Sequence, residues 1–126
     1  MWPLDELEIL MRRVVASLAA SAAIALAAIP AHAGDCEGLV VGVKPISQYN
    51  HATGAGFLAV RSGPGSSFQQ IGELYLGDRV SVWDKKGNWL AITCMSGRCT
   101  SPYWGQPSPQ GWANKNYLRI AGVCPR

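Results

Sequence analysis

Four cysteines (Cys36, Cys94, Cys99 and Cys124) and one histidine beyond residue 33, His51, carry most of the reactive chemistry this chain can offer. Thiols and imidazole can form a nucleophilic pair, a metal site or disulfides, and each demands its own pattern. A Cys–His nucleophile needs a free thiol, and an even count leaves none over once the thiols pair. A four-cysteine zinc site is the rival reading, but such sites favour Cys-x-x-Cys pairs and none is present. Two disulfides fit best, and sequence alone permits three pairings. Cys94 and Cys99 flank Met95-Ser96-Gly97-Arg98, a short turn-like connection that sets them within disulfide reach. The acids Asp35, Glu37, Glu73, Asp78 and Asp84 are scattered, the last two at turns where carboxylates serve the backbone. His51 lies in a Gly-rich loop, where an imidazole is usually solvated. The expectation is a protein that is not an enzyme, with no cofactor and no metal.

Recognition remains, and the aromatic residues point to it. Ten aromatics lie beyond residue 33, among them four tryptophans, too many for a small core to enclose. Exposed Trp and Tyr supply large, stiff contact area with a polar tip. The candidate ligand-binding residues are Trp83, Trp89, Tyr103, Trp104, Trp112 and Tyr117. A competing arrangement puts Trp112 and Tyr117 in the core and leaves Trp83 and Trp89 outside as a cross-strand pair that stiffens a hairpin.

The first 33 residues set the compartment. Arg12-Arg13 heads an Ala- and Leu-rich run to Ile29, Pro30 breaks it, and Ala31-His32-Ala33 offers the small residues a signal peptidase reads. Residues 1–33 therefore read as a secretory signal helix cleaved after Ala33, with Met11 as the start that gives it a basic head. The run is too short and Ala-rich for a membrane anchor, so no stable membrane insertion is expected after cleavage. Cleavage leaves residues 34–126, with nine Lys/Arg against five Asp/Glu and a net charge of +4. That charge is spread without a basic stripe, and an exported protein rarely meets nucleic acid, so nucleic acid is excluded as a partner. Export to the periplasm or the extracellular space also favours oxidised cysteines.

The elements that must position these residues are short strands. Leu58 and Val60 alternate with Ala59 and Arg61, a period of two, before Ser62-Gly63-Pro64-Gly65 ends the strand. Leu39–Val43 reads as an edge strand, Pro45–Gly56 as a loop and Ile71–Leu74 as the next strand, with a turn at Leu76-Gly77-Asp78. Val80 and Val82, then Leu90 and Ile92, form a hairpin joined by Asp84–Asn88. If Trp83 opposes Trp89, Val82 faces Leu90 and Val80 faces Ile92. Ser101–Gln110 is a Pro-rich loop carrying Tyr103 and Trp104. Asn114-Lys115-Asn116 is a tight turn before a last strand, Tyr117–Ile120.

Leu58-Ala-Val-Arg-Ser-Gly-Pro-Gly65 resembles the signature of bacterial SH3 domains, apart from Ala59 where the family usually has Asn. Ile71-Gly72, Leu76–Val80, Asn88–Ile92 and Gly111-Trp112…Asn116-Tyr117-Leu118 follow in the family's order. The resemblance implies an all-β fold, a small SH3-like barrel of five to seven short strands over residues 57–120. Residues 34–56 then precede the barrel as edge strand and loop, and 121–126 form a tail. The termini of such a barrel lie close together, which favours Cys36–Cys124 beside Cys94–Cys99. The resemblance places Trp89 and Tyr117 in the ligand groove and Trp112 beside it. Tyr103 and Trp104, on a loop longer than the family's, are expected to extend that groove. The implied function is non-catalytic binding of peptidoglycan peptides or of an envelope protein through a surface aromatic groove. The alternative is a structural subunit of an envelope complex, with the aromatic face as its protein–protein interface.

Overall fold

Alternating burial is what draws this chain into strands: Leu58 and Val60 are buried while Ala59 and Arg61 are half-buried on the opposite face. A computed structural model describes residues 35–126; the signal helix expected over residues 1–33 lies outside the described residues. The strands are β1 (Glu37–Val40), β2 (Leu58–Arg61), β3 (Gln70–Leu74), β4 (Arg79–Lys86), β5 (Trp89–Ser96), β6 (Gln110–Asn114) and β7 (Leu118–Ala121). They form one antiparallel sheet in the order β3-β2-β6-β5-β4-β1-β7. Every strand contributes to a single core, with Val40, Val60, Leu74, Val80, Ile92, Ala113 and Leu118 among its members. A sheet whose strands all reach one cluster must curl around it, and the result is the small SH3-like all-β fold that the sequence implies. Among the described residues no helix is long and apolar enough to cross a membrane.

Two expectations about strands are corrected. β1 is not an edge strand: Gly38 pairs with Val80 of β4 on one side and with Ile120 of β7 on the other. A Cβ on Gly38 would meet Val80 Cγ2 at 3.1 Å, so the bare backbone helps β1 fit between its neighbours. In the β4–β5 hairpin, Lys86 pairs with Trp89, and only Gly87 and Asn88 form the turn. Gly87, at φ 58°, takes the left-handed conformation that a glycine-first two-residue turn requires. Val82 then pairs with Ile92 and Asp84 with Ala91, which makes Trp83 the extra residue of a bulge. The bulge keeps Val80, Val82, Leu90 and Ile92 all buried although the pairs differ from those expected.

Disulfides join Cys36 to Cys124 and Cys94 to Cys99, with Cα separations of 4.7 and 6.1 Å. The second closes not a hairpin but the passage from β5 into a 3-10 turn, Arg98–Thr100. Asp78 organises that passage from beneath. Its carboxylate accepts from the amides of Tyr75 at 2.8 Å, Arg98 at 2.7 Å and Cys99 at 3.0 Å. Burial pushes the Asp78 carboxyl above its ordinary range, against the pull of those three amides. Gly97 is at φ 108°, and any Cβ there would run into the Asp78 carboxylate. The Pro-rich segment that follows is strapped to the barrel: Gln106 N donates to Ile71 O at 3.1 Å, Ser108 N to Cys99 O at 2.9 Å and Cys94 N to Pro109 O at 3.0 Å.

Candidate functional site: an aromatic, basic groove

A groove of about 780 Å³ runs between the irregular segment that follows β1 and the ends of β2, β5 and β6. Phe57, Trp89 and Tyr117 supply its rings; Lys44 and Arg61 supply positive charge and His51 an imidazole; no Asp or Glu lines it. Local structure explains how the rings arrive there. Trp89 opens β5 opposite Asn114, the last residue of β6. The Asn114 side chain accepts from Asn116 N at 2.9 Å and from Asn88 Nδ2 at 3.0 Å. It thus caps the 3-10 turn Lys115–Tyr117, which delivers Tyr117 beside Trp89.

The six aromatics singled out by sequence fall into three places. Trp89 and Tyr117 line the groove. Trp83 and Trp112 meet elsewhere: Trp112 lies opposite Arg61 and Ala91, and the bulged Trp83 tilts over it with ring centroids 6.3 Å apart. Neither Trp112 nor Tyr117 is a core residue, since the first is half-buried and the second exposed. The cross-strand pair is therefore Trp83 with Trp112 rather than with Trp89, a consequence of the bulge.

Tyr103 and Trp104 do not extend the groove over Trp89. Their loop is bonded to β3 through Gln106, and neither ring is among those that line the groove. Tyr103 packs on Tyr49 at 4.8 Å and edge-on to Tyr75 at 5.7 Å, and its hydroxyl accepts from Arg98 Nη2 at 2.6 Å. Trp104 stacks on His51, with centroids 4.3 Å apart and planes 21° from parallel.

Beneath these rings is a polar cluster that sequence reading missed. Glu73 is 0 % exposed, yet its carboxylate accepts from Tyr75 OH at 2.7 Å and from Tyr49 OH at 2.9 Å, and lies 2.5 Å from His51 Nδ1. A buried carboxylate is tolerable only with such partners. The signal was present in Ile71-Gly-Glu-Leu-Tyr75, a charged residue inside an otherwise apolar strand. Its partners Tyr49 and His51 could not be named, because they sit 24 and 22 residues away on a loop. His51 is thus no freely solvated loop residue.

Burial, reinforced by the bond to Glu73, pushes the Tyr49 hydroxyl up to about 12, and Tyr75 shifts the same way for the same causes. A tyrosine raised in the folded state but ordinary in the unfolded chain favours folding fully below about pH 10, and that contribution is lost as pH rises towards 12. Alkaline titration followed at the phenolate absorbance is expected to find these two tyrosines still protonated above pH 10, with unfolding as they ionise. Ionisation of all four tyrosines together near pH 10, without unfolding, would contradict the buried cluster.

Seven short strands curled around one core, with an aromatic groove at the ends of β2, β5 and β6, define an SH3-type binding domain. Residues 56–119 match the family model of the bacterial SH3 domain, half of the chain, and the chain belongs to that family. No curated protein matches it. Membership supports protein or peptide binding in general, and the two disulfides together with the family fit an exported protein.

Proposed function

We propose that the chain is an exported, non-catalytic binding module that takes an extended cell-wall peptide, or a peptide segment of an envelope protein, in the groove lined by Trp89 and Tyr117. The observation that carries this reading is the composition of the groove: three aromatic rings and three basic side chains with no carboxylate among them. Aromatic faces give apolar contact to an extended backbone, and the basic groups favour peptides with free carboxylates over neutral ones. Trp89 is the anchor, because it lines the groove while its backbone is fixed in the β5–β6 ladder.

Retention on purified sacculi, compared for wild type and Trp89→Ala, tests the proposal. Trp89→Ala is expected to weaken binding by about 1–3 kcal/mol with the fold intact, since the half-buried ring leaves the core untouched. Unchanged retention with a lowered melting temperature would remove the groove reading. A wild type that ignores sacculi but captures an envelope protein in a Trp89-dependent way would assign the groove to that partner class.

A further inference from the structure

His51 is held in the groove from several sides. Its Nδ1 lies 2.5 Å from the buried Glu73 carboxylate, which is itself held by two tyrosine hydroxyls. Trp104 stacks on its ring at 4.3 Å and Phe57 at 5.6 Å, both within about 21° of parallel. The loop that carries it is closed by paired Asn50 and Ala55. With Nδ1 committed, Nε2 is the remaining polar atom of the ring, and it has no partner among the described residues. The side chain is 36 % exposed and lines the groove. Loops seldom invest a buried carboxylate, two hydroxyls and two stacked rings in an imidazole that only faces water.

We infer that His51 is a ligand-binding residue: doubly protonated, it donates Nδ1–H to Glu73 and Nε2–H to a carboxylate of an acidic peptide lying in the groove. The inference rests on the proposed binding role of the groove and narrows it to anionic peptides. Glu73 is a positioning residue that fixes the ring and offsets the second proton. The charged and titratable groups around the ring are consistent with this. Glu73 faces it from β3 with the Tyr49 and Tyr75 hydroxyls, and Lys44 and Arg61 share the groove. The packing rings of Phe57 and Trp104 carry no charge, and no other carboxylate lines the groove to compete for Nε2. A hydrogen bond between an ionised donor and an ionised acceptor is about twice as strong as a neutral one and is shape-specific.

The probes are a labelled hexapeptide of alternating alanine and glutamate and its glutamine counterpart, titrated against the intact disulfide-bonded domain. Wild type is expected to prefer the acidic peptide by about tenfold, with affinity falling as pH rises from about 5 to about 8, where imidazoles lose their proton. His51→Gln removes the slope and most of the preference, Lys44 and Arg61 keeping the remainder, while its melting temperature stays within a few degrees. Lys44→Gln, at an exposed position, lowers affinity for the acidic peptide but keeps the slope. Glu73→Gln lowers the preference for the acidic peptide toward that of His51→Gln while binding of the glutamine peptide is kept, which loss of a merely structural contact would not do. A slope that persists in His51→Gln overturns the inference. So does equal binding of the two peptides by wild type; if Trp89→Ala still abolishes that binding, the groove reading survives alone. Failure of both hexapeptides to bind overturns the inference whatever the sacculi do, while retention on sacculi separately decides the groove.

Discussion

A chain carrying Val60→Asp is expected not to fold. Val60 is fully buried in β2, paired with Gly72 of β3 and part of the one core that all seven strands share. No side-chain donor is among the core members around it, so a carboxylate there would be desolvated without a partner, at a cost of several kcal/mol. A domain of this size holds only about 5 kcal/mol or little more in reserve. Arg61, one residue on, faces the other way; its guanidinium donates to Phe68 O at 3.0 Å. Arg61→Ala is expected to lose about 1 kcal/mol and stay folded. Circular dichroism and one-dimensional NMR of the two variants check this. A folded Val60→Asp beside an unfolded Arg61→Ala would invert the assigned faces of β2.

The second large effect is covalent. Cys36 and Cys124 are 88 positions apart, whereas Cys94 and Cys99 are separated by 5. Constraining the unfolded chain over the long loop is worth about 4–5 kcal/mol in the loop-entropy model, and over the short loop about 2. Replacing Cys36 and Cys124 together by Ala is therefore expected to lower the melting temperature by about 16–40 °C, at about 4–8 °C per kcal/mol for a domain of this size. The Cys94→Ala/Cys99→Ala pair is expected to cost about half as much from the lost cross-link. Thermal melts of both variants against wild type decide the order; a larger drop from the short loop would show that its contacts with Asp78 outweigh chain entropy.

What could be read from the sequence was local, and what escaped was what the curled sheet brings together. The alternation of Val80, Val82, Leu90 and Ile92 identified the core face of β4 and β5, because burial periodicity is a property of each strand alone. The register was not legible. Asp84-Lys85-Lys86 looks like a polar loop, yet the two-residue turn at Gly87 extends the ladder and the Trp83 bulge absorbs the mismatch. β1 could be recognised as a strand, but its place between β4 and β7 depends on pairings with residues 81 and 121, far along the chain. Trp89 and Tyr117, which the family resemblance singles out, both line the groove described above. The His51–Glu73 pair was not, since only the closed fold brings the loop before β2 against β3. Likewise the proline content of the segment around Tyr103 announced a loop, without saying that the loop would be bonded down along β3.

The Cys36–Cys124 link has a mechanical consequence. Asp35 and Val123 lie side by side as a parallel bridge next to it, so the two ends of the domain leave from one point. Tension applied between the two termini passes from Cys36 to Cys124 through a covalent bond and bypasses the strands between them. The barrel then sits as an unloaded bead beside the line of force. A pull that would otherwise peel β1 and β7 from the sheet leaves the groove's geometry unchanged until the disulfide is reduced.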